Sequence, residues 1–200
     1  MSKAEKVGAD FVEIRMDELD PDCDLAVLAA DRKVPLIATD KAVRDTLEQR
    51  FLILNAAKSG FKYIDVDLST PKIETLVTEL KDSGALSIIS HHYTDRCPNL
   101  AELQATLKKE SSYGADVCKI VATAKQIQDN LTLLRFTTDA SSQAKVVCFG
   151  MGELGKTSRL LSPVFGAFFT FATLERGSET APGQMTLEDM RSAYNLLGLN

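Results

Sequence analysis

The chain has 200 residues, 44% of them hydrophobic and 26% charged, with a net charge of −5, a balance that suits one domain with a real core. No apolar run approaches the ~20 residues of a membrane span, the opening Met1–Lys6 lacks the apolar centre of a signal peptide, and no basic stripe offers a surface for nucleic acid. A mild negative charge still permits an anionic substrate, because a few local arginines can decide binding.

Short β-rich runs alternate with segments of helical spacing. The first predicted strand is Phe11–Asp17 and the second is Pro35–Asp40. Leu47, Phe51 and Leu54 then recur at helical steps, and Gly60 ends that segment before a strand at Tyr63–Leu68. Pro71 stands near the next helix start, and Leu86–Tyr93 is the fourth strand. Leu100, Leu103 and Leu107 mark a helix closed by Gly114, ahead of Val117–Ala124. Asp129 lies near the start of a helix carrying Ile127, Leu131 and Leu134, which leads to Lys145–Gly150; Ala167–Leu174 is the last predicted strand. This alternation implies an α/β fold with a parallel sheet and helices outside it, either an open doubly wound sheet or a barrel. No G-x-G-x-x-G follows the first strand. The glycines of Gly150–Gly155 come late and lack the Walker pattern, so they read as a tight βα turn.

Cys23, Cys97, Cys118 and Cys148 lack metal-finger spacing and read as reduced thiols of a cytoplasmic protein. With two histidines, His91 and His92, and no cysteine pairing, no metal site is expected.

In a barrel the chemistry sits at the C-terminal ends of the strands, and polar residues collect there. Glu13, Arg15 and Asp17 alternate along one strand and share a face; Asp65 and Asp67 share another. Ser90 and His92 share a face, with His91 opposite. Lys119 interrupts the apolar run Val117–Val121. Burial disfavours the charged form of a lysine and frees the amine to attack a carbonyl; a gatekeeper lysine on an edge strand is an equal alternative. His92 suits general acid–base work, since imidazole titrates near pH ~6.5, and a packed histidine bonded to backbone is its bland alternative. Arg15 and Arg159 could hold a carboxylate by two parallel bonds, although Arg15 could equally pair with Glu13 or Asp67 as internal structure.

Together these residues resemble type I 3-dehydroquinate dehydratase. The strand Glu13-Ile14-Arg15-Met16-Asp17 is similar to that family's E-x-R-x-D, and Ser90-His91-His92 to its S-x-H. Gly114-Ala115-Asp116-Val117-Cys118-Lys119-Ile120 matches G-A-D-x-x-K-I. Met151-Gly152, Gly155 and Ser158-Arg159 match M-G-x-x-G-x-x-S-R, and Ala181-Pro182-Gly183-Gln184 matches A-P-G-Q. The motifs run in family order from about residue 8 to residue 190. The resemblance implies a cofactor-free TIM-type (β/α) barrel forming one catalytic domain over residues 1–200. It further implies a cytoplasmic homodimer that dehydrates 3-dehydroquinate in the shikimate route to aromatic compounds. Lys119 would form the imine and His92 would move the protons. Arg159 and Gln184 would hold the carboxylate and ring hydroxyls, Thr180 would take the family's serine position, and Glu13 and Arg15 would grip a hydroxyl.

The chain departs from the family pattern in three places. Lys41 takes the place of an arginine and Asp45 that of a glutamate, and the two glycines that follow in the family are absent. Tyr93-Thr94 stands where the family has Asp-Phe. The family's first strand has no counterpart, so seven strands are expected. Two other readings share parts of this pattern. A class I Schiff-base aldolase would share the lysine without needing the Ser-Arg and Ala-Pro-Gly-Gln clamp, and a decayed homologue would keep the fold for binding alone.

Overall fold

The computed structural model describes residues 2–20, 22–30, 32–42 and 44–199. Met1, quoted above, lies outside the described residues. The chain divides into two compact units, Met1–Ser90 with Glu110–Asp116, and His91–Lys109 with Val117–Asn200.

The first unit runs α1 (Ser2–Lys6), β1 (Val12–Arg15), α2 (Leu25–Ala29), β2 (Leu36–Thr39), α3 (Thr46–Lys58), β3 (Tyr63–Asp67), α4 (Ile73–Asp82) and most of β4 (Leu86–Tyr93). The strands pair in parallel in sequence order, with Glu13 beside Ile37, Ala38 beside Ile64 and Asp65 beside Ile88. Every residue of β2 is buried, as expected of a parallel strand covered on both faces. Local chemistry sets the helix ends. Asp24 accepts from the Ala26 and Val27 amides to start α2, and Asp45 does the same for Leu47 and Glu48 at α3. Gly60 stops α3 at a φ of +100°, where the Phe61 amide returns to the Ala56 carbonyl. Ile73, Leu76, Val77 and Leu80 form one buried stripe on α4. On α3 the apolar spacing marks the helix but not its buried face. Ile53, Ala56 and Ala57 are buried, while Leu47 and Phe51 are 78% and 74% exposed.

The second unit takes in most of α5 (Leu100–Ser112), then β5 (Val117–Thr123), α6 (Asp129–Ser141), β6 (Val146–Met151), α7 (Lys156–Leu161) and α8 (Leu187–Leu197). β5 and β6 pair in parallel, with Lys119 beside Val147. The described residues thus carry six strands in an α/β arrangement, and no helix among them is long and apolar enough to cross a membrane.

The seventh predicted strand is not one. Across Ala167–Leu174 the Phe168 amide reaches the Val146 carbonyl, after which only an isolated bridge forms at Thr173. The cause is a competing partner. Thr173 spends its amide on Met185 and its carbonyl on Leu187, both later in the chain. Phe168, Phe169 and Phe171 meet ring to ring at 5.4–5.5 Å in sequence, so this β-prone composition serves aromatic packing instead.

The glycine-rich turn after β6 folds back onto its own strand. A short 3-10 turn at Glu153–Gly155 leads into α7, and a Cβ on Gly155 would lie 2.5 Å from the Gly150 carbonyl carbon. Gly155 has an ordinary φ of −85°, so close approach and not backbone conformation demands glycine here. Gly155→Ala should lower stability by ~1–3 kcal/mol, the usual cost of overpacking. Urea denaturation checks this, and an unchanged midpoint would refute the contact.

Candidate active site

The first unit neutralises most of its own site residues. On β1, the Glu13 carboxylate accepts from the Thr39 hydroxyl at 2.8 Å. Arg15 donates to both oxygens of Asp17, with Nε 3.0 Å from Oδ1, and its Nη1 lies 3.5 Å from Glu18. Its partners are therefore Asp17 and Glu18, two and three residues along its own chain. The Asp17 bond raises the Arg15 guanidinium further above its ordinary value. Burial would push the Asp17 carboxyl up, but Arg15 outweighs it and holds the group below the usual carboxylate range.

Lys41 follows β2 and reaches Asp65 on β3, Nζ to Oδ1 3.1 Å, and Ser90 on β4 at 3.5 Å. The Ser90 hydroxyl donates to the same Asp65 oxygen at 2.7 Å. Asp65 and Ser90 are 3% and 0% exposed. Burial alone would lower the Lys41 ammonium, yet the carboxylates of Asp65, Asp67 and Glu13 raise it. Asp65 was legible only as a member of a polar strand face, and Ser90 both as one and as the start of the S-x-H segment. Their meeting depends on strand register, with Asp67 opposite Ser90. Asp45 does not join this group. It is exposed, and its carboxylate bonds the Leu47 and Glu48 amides at 2.8 and 3.0 Å.

The second unit holds the other site residues. His91 and His92 lie at the end of β4 and are both half-buried. The His91 ring meets Tyr93 edge-on at 4.6 Å, which puts those two on one face and leaves Ser90 and His92 on the other. Lys119 on β5 is 5% exposed between Cys118 and Ile120, and its Nζ stands 4.3 Å from the Phe171 ring centre. Arg159 on α7 is 1% exposed and lies over Phe149, also at 4.3 Å. The two rings pack at 6.0 Å, so an aromatic pair links the two cations.

Arg159 contrasts with every cation of the first unit described above. Among the described residues its Nε and Nη2 are buried without a hydrogen-bond partner. Burial pushes its guanidinium down to about 10, and the Phe149 face offers a partial substitute for a counter-charge. Thr180 and Gln184 lie in a loop that is tied to β6 by the Gly152 amide and the Pro182 carbonyl at 3.0 Å. Their side chains engage each other. The Gln184 oxygen accepts the Thr180 amide at 2.9 Å, and the Gln184 nitrogen donates to the Thr180 hydroxyl at 3.1 Å. Sequence reasoning missed Phe149, Phe171 and Thr39 as partners of site residues, because none belongs to a recognisable motif. Among the described residues no three His, Cys, Asp or Glu side chains are grouped to hold a metal ion.

The whole chain, residues 1–200, matches the model of the family described as Type I 3-dehydroquinase. It is 33% identical over 194 residues to 3-dehydroquinate dehydratase of Dehalococcoides mccartyi, covering 94% of this chain and 86% of that protein. The crystal structure of the 3-dehydroquinate dehydratase from Geobacillus kaustophilus superposes with a TM-score of 0.86 at 24% identity, over 98% of this chain and 83% of that one, a likeness of fold. That from Aquifex aeolicus superposes with a TM-score of 0.81 at 27% identity, over 98% and 91% of the two chains. The chain belongs to the type I 3-dehydroquinase family and is an enzyme of the hydro-lyase class.

Proposed function

We propose that this protein converts 3-dehydroquinate to 3-dehydroshikimate and water through a Schiff base at Lys119, as a step of the shikimate route. The observation that carries the reading is the pair of buried cations in the second unit. Lys119 is an amine on an otherwise apolar strand, and Arg159 is a guanidinium with two buried N–H groups lacking an acceptor. A substrate carboxylate would supply the acceptor that those Arg159 N–H groups lack, and a substrate ketone is the electrophile that an amine such as Lys119 attacks. Relatives named 3-dehydroquinate dehydratase support the same substrate.

The Lys119 amine attacks the ketone carbon, and loss of water gives the imine. Once protonated, that imine is an electron sink, so the adjacent C–H becomes acidic enough for histidine. His92 takes this proton and returns one to the departing hydroxyl, which leaves as a second water. Hydrolysis of the imine consumes one water and frees Lys119, for a net release of one. Arg159 holds the carboxylate through the planar fork of its N–H groups. Gln184 and Thr180 hold ring hydroxyls from the loop. The reading includes a TIM-type barrel acting as one catalytic domain over residues 1–200. It works without a cofactor, as a cytoplasmic homodimer.

Mixing the protein with 3-dehydroquinate should produce the absorbance of a conjugated enone. Borohydride added during turnover should fix a secondary amine at Lys119, located by peptide mass spectrometry, and Lys119→Met should abolish both signals while the fold persists. A stable adduct on another lysine would overturn the assignment. His92→Ala should lower kcat by ~10²-fold or more, the scale of a lost general acid–base, with His91→Ala the milder mutant; the reverse order would exchange their roles. Arg159→Ala should mainly raise KM, by roughly 1.5–3 kcal/mol for a charge-assisted bond, and Arg159→Lys should recover little of it. An unchanged KM would move the carboxylate elsewhere.

A further inference from the structure

Arg159 lies one residue after Ser158, and Ser158 is the centre of a buried polar knot whose one other side chain, Asn130, belongs to no motif. Asn130, near the start of α6, is 2% exposed. Its amide nitrogen donates to the Leu154 carbonyl at 2.7 Å and to the Ile127 carbonyl at 2.9 Å. Its oxygen accepts the Ser158 amide at 2.9 Å. Both amide hydrogens and the carbonyl are thus used, on three separate backbone groups. The Ser158 hydroxyl, on a residue with no exposure, accepts the Gly150 amide at 2.9 Å and donates to the Gly155 carbonyl at 3.0 Å. Gly155 in turn bonds the Gly152 carbonyl at 3.0 Å. The segment from Gly152 to Ser158 is therefore pinned to β6 by Ser158, to α6 by Asn130, and to itself by Gly155.

We propose that Asn130 is a positioning residue for the substrate carboxylate, acting through Ser158 on Arg159. The inference rests on the reading of Arg159 as the carboxylate clamp. Two Arg159 N–H groups are buried without acceptors, so no hydrogen bond of theirs helps to fix the side chain. Its direction is set by the Phe149 face and by the backbone that carries it. That backbone is held at the Arg159 carbonyl by the Thr170 hydroxyl at 2.8 Å, and at the preceding amide by Asn130. An asparagine fits this place because it offers two donors and an acceptor in one plane without charge. A carboxylate there would lose both donors and bury a negative charge.

The test has two readouts. The first is kinetic. A misplacement near 1 Å can cost up to ~10²-fold, so Asn130→Ala should raise KM about tenfold while kcat stays within about threefold. Combined with Arg159→Ala it should add nothing further, because groups acting through one another are not additive. The second readout is chemical. Phenylglyoxal modification of Arg159, followed by peptide mass spectrometry, should be slow in the native protein and faster in Asn130→Ala. Thermal melts identify a variant that fails to fold. In that case Ser158→Ala, which deletes one oxygen and leaves the Asn130 bond, replaces it and should show the same split. An unchanged Arg159 modification rate, or KM effects that multiply in the double variant, would overturn the inference. If Arg159→Ala leaves KM unchanged while Asn130→Ala still speeds the modification, the clamp reading fails and the positioning stands.

Discussion

A guanidinium taken out of water with unpaired N–H groups is a debt that the surrounding chain cannot settle by packing alone. At Arg159 two such groups are buried, and unpaired buried donors cost about 1–3 kcal/mol each, more when charged. The descent of its guanidinium toward about 10 expresses the same cost. Everything near it works to keep the group where it is. The Phe149 face lies over it, Thr170 holds its carbonyl, and the Gly150–Gly155 contact closes the turn from which α7 starts. A segment this constrained around an uncompensated charge is the geometry on which the proposed carboxylate role of Arg159 rests.

The first unit treats its cations in the opposite way. Arg15 spends itself on Asp17, Lys41 on Asp65, and Arg44 on Asp40 and Glu48. Lys41 is raised by its carboxylates where Arg159 is lowered by burial. A cation that already has its counter-ion can orient a neutral hydroxyl or hold another side chain, but it has little left for a carboxylate. The two units thus hold positive charge of two kinds, one paired with carboxylates and one buried with N–H groups that have no acceptor.

Much of this was visible in the sequence, for identifiable reasons. β4 occupies Leu86–Tyr93 as the β-rich run indicates, because Ile88, Ile89 and Tyr93 favour a strand and no glycine or proline interrupts the run. Lys119 announces itself as one charge in an apolar strand, and its 5% exposure agrees. The faces of α3 were harder to read. Leu47 and Phe51 keep helical spacing yet stay exposed, since small Ala56 and Ala57 let the backbone come close on the other side. Ala167–Leu174 carries β-prone residues but finds its partner at Met185–Leu187, a choice made by tertiary pairing. Asp65 with Ser90, and Asn130 with Ser158, are 25 and 28 positions apart in sequence; no local pattern links such pairs.

The self-contained bonding of Thr180 and Gln184 has a consequence for selectivity. Both polar ends of the Gln184 amide are already occupied by its neighbour. Each end keeps spare capacity, a second lone pair on the oxygen and a second N–H on the nitrogen. On the proposed reading a ring hydroxyl would therefore meet an amide already held in one orientation by Thr180, and a hydroxyl on the wrong side of the ring would find that amide turned away from it.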